Sequence, residues 1–255
     1  MSSVISVLRS IQQKKTGGLI MSNKMEKGVV AKVIKGKQVK YVISDPKSKD
    51  TTPLKIDNMN YIVEPHIPIS EVERWIAFLS GQSGTGKTAI ASLLIGQYAY
   101  HYNKNVYYVC ETKLKDDINL KKLTYIKQIP TDSLEDIKIE QLRNSLVFID
   151  DIDYSPNHKQ CMKFINMIVE TGRKFGTSLI FASHVNTKGG ESCIYKELSL
   201  YFTNYNNTAN NRLIEKYLNL SRTQIDKIQN HRDSAFICVN KVFDCIITDK
   251  IIEKI

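Results

Sequence analysis

Gly81-Gln82-Ser83-Gly84-Thr85-Gly86-Lys87-Thr88 matches G-x-x-x-x-G-K-[ST] in full. An apolar run, Trp75–Leu79, leads into it, and a helix-forming stretch, Thr88–His101, leaves it. That strand–loop–helix context reads as a phosphate-binding loop. Glycines 81, 84 and 86 let the backbone curl without Cβ obstruction, so successive N–H groups turn toward one anion. The helix behind the loop adds the positive end of its dipole. In such a loop Lys87 serves the β/γ-phosphates, and the Thr88 hydroxyl offers Mg²⁺ a ligand. All eight residues, 81 to 88, are therefore nucleotide-binding candidates, with ATP and Mg²⁺ as the cofactors. A chance glycine-rich turn is the bland alternative, and both flanking elements argue against it.

A phosphate loop needs an acidic partner. Leu146-Val147-Phe148-Ile149-Asp150-Asp151 is an apolar strand ending in two carboxylates. Charge is tolerated where a buried strand emerges, so both acids face the ligand crevice. Asp150 is the expected Mg²⁺ ligand and Asp151 the group placed to polarise an attacking water. Capping of a following helix is the other reading of Asp151 and Asp153. Two more apolar runs, Asn105–Cys110 and Ser178–Ser183, alternate with helical stretches such as Gln160–Lys174. Buried strands between helices predict an α/β fold with a mainly parallel sheet covered on both faces.

In the P-loop class that includes translocases and helicases, another strand separates the loop strand from the acidic one. Ser178–Ser183 can fill that place, which would bring Ser183 and His184 to the γ-phosphate; an ordinary surface histidine is the alternative. Glu111, ending the Asn105–Cys110 strand, is a second candidate for positioning water.

Upstream, Gly28–Ser44 alternates apolar and basic residues about Lys35-Gly36-Lys37, a hairpin signal. Residues 1–27 read as a loose leader or a short helix, and Asp45–Pro53 as a polar loop. We divide the chain into a basic leader and hairpin, 1–66, and an ATPase domain, 67–255. After residue 210, Asn211–Leu218 and Arg222–Gln229 suggest helices. A last hairpin is expected from Ala235–Asn240 and Val242–Thr248, turning at Asn240-Lys241.

The net charge is +10, yet residues 1–60 carry 12 Lys+Arg against 4 Asp+Glu, while the other 195 residues are almost balanced. A basic extension on a neutral body suits phosphate contacts; a solvated leader is the alternative. No apolar run approaches the roughly 18 residues of a membrane span, and no secretory signal begins the chain. Five cysteines without a Cys-x-x-Cys pair argue against a zinc site or disulfide framework and for a reducing compartment.

Four strings, GQSGTGKT, VYYVCETKLKDDINLKKL, SLVFIDDID and ETGRKFGTSLIFASH, resemble the genome-packaging ATPases of large DNA viruses, of the poxvirus type. These belong to the FtsK–HerA superfamily of DNA-pumping motors. The resemblance covers roughly residues 70–245, including a polar Tyr201–Asn211 stretch and AFICVNK near the end. It implies ATP–Mg²⁺ on Lys87 and Thr88, the metal on Asp150, and the catalytic acid at Asp151. Arg173 takes the place of an arginine that can serve a neighbouring subunit as a finger; a cation at a helix C-terminus is the bland reading. The superfamily commonly has Gln where this chain has His184, and its acidic pair is Asp-Glu where this chain has Asp150-Asp151.

The resemblance implies an ATP-driven translocase loading viral DNA into a capsid. Its partners would be double-stranded DNA, further copies of itself in a ring, and capsid proteins, in the host cytoplasm or the virion. An ATPase with a protein or membrane client is the alternative, and the apolar Val4–Ile11 would serve it. A nucleotide-binding module without turnover is the third reading.

Overall fold

Short apolar runs, more than long periodic ones, build this chain into two sheets. The computed structural model describes residues 15–16, 18–57, 59–68, 74–111, 118–184, 192–203, 218–231 and 234–255. The first strands are β1 (Lys15–Thr16), β2 (Leu19–Ser22), β3 (Val29–Lys35) and β4 (Gln38–Ser44). Past the Pro-containing loop come β5 (Leu54–Lys55), β6 (Ile62–Pro65) and β7 (Ile76–Ser80). Helix α1 (Lys87–Tyr102), β8 (Val106–Cys110), β9 (Ile126–Pro130) and β10 (Leu146–Ile149) follow. Next are α2 (His158–Thr171), β11 (Ser178–Ser183), α3 (Ser192–Glu197), β12 (Leu200–Thr203) and α4 (Arg222–Gln229). Strands β13 (Ile237–Asn240), β14 (Cys245–Thr248) and β15 (Ile251–Lys254) close the chain.

The larger sheet has ten strands in the order β5-β15-β14-β13-β12-β7-β11-β10-β8-β9. Every pairing from β12 through β9 is parallel, and β13, β14, β15 and β5 extend the sheet antiparallel. The parallel half is the expected α/β core. All five residues of β7 are buried, as a strand covered on both faces requires. Ile76 and Phe78 pack with Phe164, Ile165 and Ile168 of α2, while Ala77 and Leu79 pack with Ala91, Leu94 and Ile95 of α1.

The smaller sheet, β1-β2-β4-β3-β6, is antiparallel throughout and contains the expected β3–β4 hairpin. It is a packed layer. Val30, Ala31, Val33 and Val42 share the α1-side core with Ile247 and Ile252. Helix α1 covers β7, β10 and β11, whereas β3 and β6 lie against β14. Strand β5 pairs with β15, and Lys254 Nζ donates to the carbonyls of Asp45 and Ser48, both at 2.8 Å. The basic segment is thus stitched into the larger sheet.

Some expectations need correction. Leu19–Ser22 forms β2, so that part of the supposed leader is neither loose nor helical; residues 1–14 lie outside the described residues. The last hairpin turns through Lys241–Asp244, because Asn240 Oδ1 accepts the N–H groups of Val242 and Phe243 at 3.0 and 3.2 Å. That side-chain turn needs more residues than a two-residue loop. Helix α2 ends at Thr171, and a 3₁₀ turn, Gly172–Phe175, takes up the rest of the expected helix. The Tyr201–Asn211 stretch opens as the buried strand β12, too short and apolar for periodicity to resolve. Of the helix expected over Asn211–Leu218, all but Leu218 lies outside the described residues.

Candidate active site

Helix α1 begins behind Gly86, whose left-handed backbone (φ 85°) carries no side chain to cap it. The first-turn N–H groups stay available to an anion, with no acidic residue in that turn to compete. Gly81 is demanded by close approach, since a Cβ there would stand 2.7 Å from Thr85 Oγ1.

Lys87 Nζ folds under the loop and donates to the carbonyls of Gly81 (2.8 Å) and Gln82 (3.0 Å). It also lies 3.0 Å from His184 Nδ1. Burial lowers the Lys87 pKa, against the raising pull of Asp150, Asp151 and Asp153.

Strand β11 lies between β7 and β10, with Ser183 opposite Ser80 and Phe181 opposite Ile149. The carboxyl ends of all three strands therefore converge on the phosphate loop. Asp150, just past β10, is 2% exposed. Thr88 Oγ1 donates to its Oδ2 at 3.1 Å, and the Asp151 N–H to its Oδ1 at 3.0 Å. Burial, and then the Asp151 charge, push the Asp150 carboxyl up to about 6. A buried carboxylate crowded by a second one, with a hydroxyl beside it, is a hard-oxygen donor set of the kind Mg²⁺ takes. These residues fit that ion.

Asp151 has a left-handed backbone, φ 52°, which costs a non-glycine residue about 1 kcal/mol or more. It meets His184 at 2.5 Å, Oδ1 to Nε2. Asp153 holds the other side of that histidine, accepting the His184 N–H at 2.6 Å and the Ser183 hydroxyl at 2.8 Å. Neither Asp151 nor Asp153 caps a helix, for Asn157 precedes α2. Gln82, Ser83, Asp151, Tyr154 and His184 line an open cleft of about 470 Å³.

The structure brings residues 81–88, Asp150, Asp151 and His184 together. It does not bring Glu111 to them. Strand β8 lies beyond β10 from the loop strand, and Glu111 accepts hydrogen bonds from Thr131 (2.7 Å) and Ser155 instead. Glu111 thus ties down the loop that carries Asp151. Arg173 is also remote from its own cleft: its 3₁₀ turn precedes β11, at the end of the sheet opposite the phosphate loop. Sequence reasoning missed Asp153 as a clamp on His184, although the Asp150-Asp151-Ile152-Asp153 string was its signal. It also missed Tyr154, 85% exposed at the cleft, for which no signal exists.

The profile of the ATPase family associated with various cellular activities (AAA) matches residues 77–181, from β7 through Phe181 of β11. This segment has the fold of a P-loop ATPase domain. The ATPase is 27% identical over 227 residues to uncharacterized protein V3 of Sputnik virophage, covering 84% of this chain and 87% of that one. Among solved structures it is similar to B204, the DNA-packaging ATPase of Sulfolobus Turreted Icosahedral Virus. That match has 16% identity and a TM-score of 0.49, over 72% of this chain and 98% of B204. The conjugation coupling protein TcpA of pCW3 aligns with 95% of this chain and 86% of its own, at 10% identity and a TM-score of 0.46. Among the described residues no helix of the ATPase is long and apolar enough to cross a membrane.

Proposed function

We propose that this ATPase is a DNA translocase that packages viral genomic DNA into a capsid, working as a ring of identical subunits. The observation that carries the reading is the strand order β7-β11-β10, with β11 between the phosphate-loop strand and the acidic strand. That insertion is the arrangement of the class containing translocases and helicases. The motif strings that resemble packaging ATPases, and the lysine-rich hairpin built onto the core, support the same reading.

Within the site the loop amides and Lys87 hold the β- and γ-phosphates. Thr88 and Asp150 would hold Mg²⁺, which when bound would neutralise charge on the transferring phosphoryl group. Asp151 and His184 stand where the attacking water must be held. Arg173, outside its own cleft, is free by position to serve a neighbour's γ-phosphate, which is why the reading includes a ring. The sites of action would be the host cytoplasm, where capsids assemble, or the virion itself.

The test is Mg²⁺-dependent ATP hydrolysis with and without duplex DNA over a salt series. Stimulation that declines steeply as salt rises is the expected result. Hydrolysis indifferent to DNA at every salt concentration would redirect the assignment to a protein client or an acidic membrane surface.

A further inference from the structure

His184 bridges two groups that P-loop chemistry needs. Its Nδ1 lies 3.0 Å from Lys87 Nζ and its Nε2 lies 2.5 Å from Asp151 Oδ1. A charged lysine can only donate, so Nδ1 must present its lone pair and the ring hydrogen must sit on Nε2, directed at the carboxylate. The ring is therefore a neutral Nε2–H tautomer whose lone pair faces the phosphate-binding lysine. Asp153 holds the backbone of the same residue through the His184 N–H. Among the described residues, the charged groups facing the ring are Lys87 of the phosphate loop and Asp151 and Asp153 of the loop after β10.

We propose that His184 is the proton acceptor for the attacking water and that Asp151 is its supporting carboxylate. The inference deepens the ATPase reading and rests on the phosphate loop being a working hydrolytic site. When phosphate oxygens take over Lys87, the Nδ1 lone pair is released where the γ-phosphate has just arrived. Asp151 is less suited to take the proton itself, because its Oδ1 is already engaged by Nε2–H. In the step, the water oxygen bonds to the γ-phosphorus and its proton passes to Nδ1. The bridging P–O bond breaks, and its electron pair leaves on ADP. The ring, now protonated on both nitrogens, is held by Asp151 until it gives the proton to the departing phosphate or to solvent. An imidazole held by a carboxylate on its far nitrogen is an established way to orient such a base.

The test uses the full chain with His184→Gln and His184→Ala. A fluorescent ATP analogue should bind both within a few-fold of the parent protein, which separates chemistry from binding and folding. Turnover should fall at least about a hundredfold in each, the ordinary contribution of a general base. Added imidazole should restore part of the turnover of His184→Ala and none of that of His184→Gln, whose amide fills the space but takes no proton. Nitrogen-15 spectra of the parent protein without nucleotide should show the His184 ring protonated on Nε2 alone. Three results would overturn the proposal: near-parental turnover in His184→Gln, loss in both variants with no imidazole rescue, or a ring protonated on Nδ1 in the resting protein. A parent protein without Mg²⁺-dependent hydrolysis would instead sink the ATPase reading beneath it.

Discussion

Asp150 combines two demands that pull against each other. To hold Mg²⁺ as proposed its carboxylate would have to be ionised, yet the fold buries it beside Asp151 and raises its pKa from 3.8 to about 6. Because the folded protein binds this proton more tightly than the unfolded chain, the group's contribution to stability is fullest below about pH 4. It is lost as pH rises through about 6. Asp150→Asn should therefore stabilise the nucleotide-free protein at pH 7 by about 1–3 kcal/mol while abolishing Mg²⁺-dependent hydrolysis. Urea unfolding without nucleotide, paired with a phosphate-release assay, checks both halves. For the same reason hydrolysis by the parent protein should decline as pH falls below about 6, and excess Mg²⁺ should move that limb to lower pH.

At the scale of elements, the join between the small sheet and α1 carries a second titratable device. His66, at the end of β6, is fully buried, and its Nδ1 donates to the Ile67 carbonyl at 2.9 Å. Among the described residues its Nε2 meets no hydrogen-bond partner, and its ring lies 5.2 Å from that of His101 on α1. Gln97 fastens the same join, accepting the Ile67 N–H at 3.0 Å and donating to the Pro65 carbonyl at 2.9 Å. Burial first, then Lys32 and His101, lower the His66 pKa to about 4. Here the unfolded chain binds the proton more tightly. The stability is present above about 6.5 and is lost as pH falls toward 4, to the extent of about 3 kcal/mol. His66→Leu should flatten that acid slope, read as the change in urea midpoint between pH 7 and pH 4.5. An unchanged slope would place the acid sensitivity elsewhere.

Across the whole molecule, charge and architecture meet in the small sheet. Lys35, Lys37 and Lys40 are exposed about the β3–β4 turn, while the opposite face of the same sheet lies in the core. A DNA-binding surface at those lysines would be mechanically tied to the ATPase sheet through β5–β15 and Lys254. Replacing all three lysines with Glu should weaken duplex-DNA stimulation and lower the salt slope by about 2–3, at roughly 0.9 for each phosphate no longer neutralised. Hydrolysis without DNA should be unchanged, since none of the three touches the cleft. Stimulation that survives the triple change would move the DNA-binding surface off this sheet.

Contiguous residues by themselves determined the phosphate loop, the strand before it, the helix after it and the acidic strand tip. These depend on φ angles, Cβ clearance and local burial, all encoded within a few positions of Gly81 and Asp150. The boundaries of α4, the β3–β4 hairpin and β11 were legible for the same reason. Tertiary structure alone decided which strand ends meet. Glu111 and His184 both follow apolar strands, and only the order β7-β11-β10-β8 sends one into the cleft and the other to Thr131 and Ser155. It also decided that the basic segment is a core-covering layer, because β5–β15 pairing and the Val30–Ile247 core join residues about two hundred positions apart. Local sequence sets what each segment can be. The order of strands, fixed by burial summed over the whole chain, sets which side chains react together.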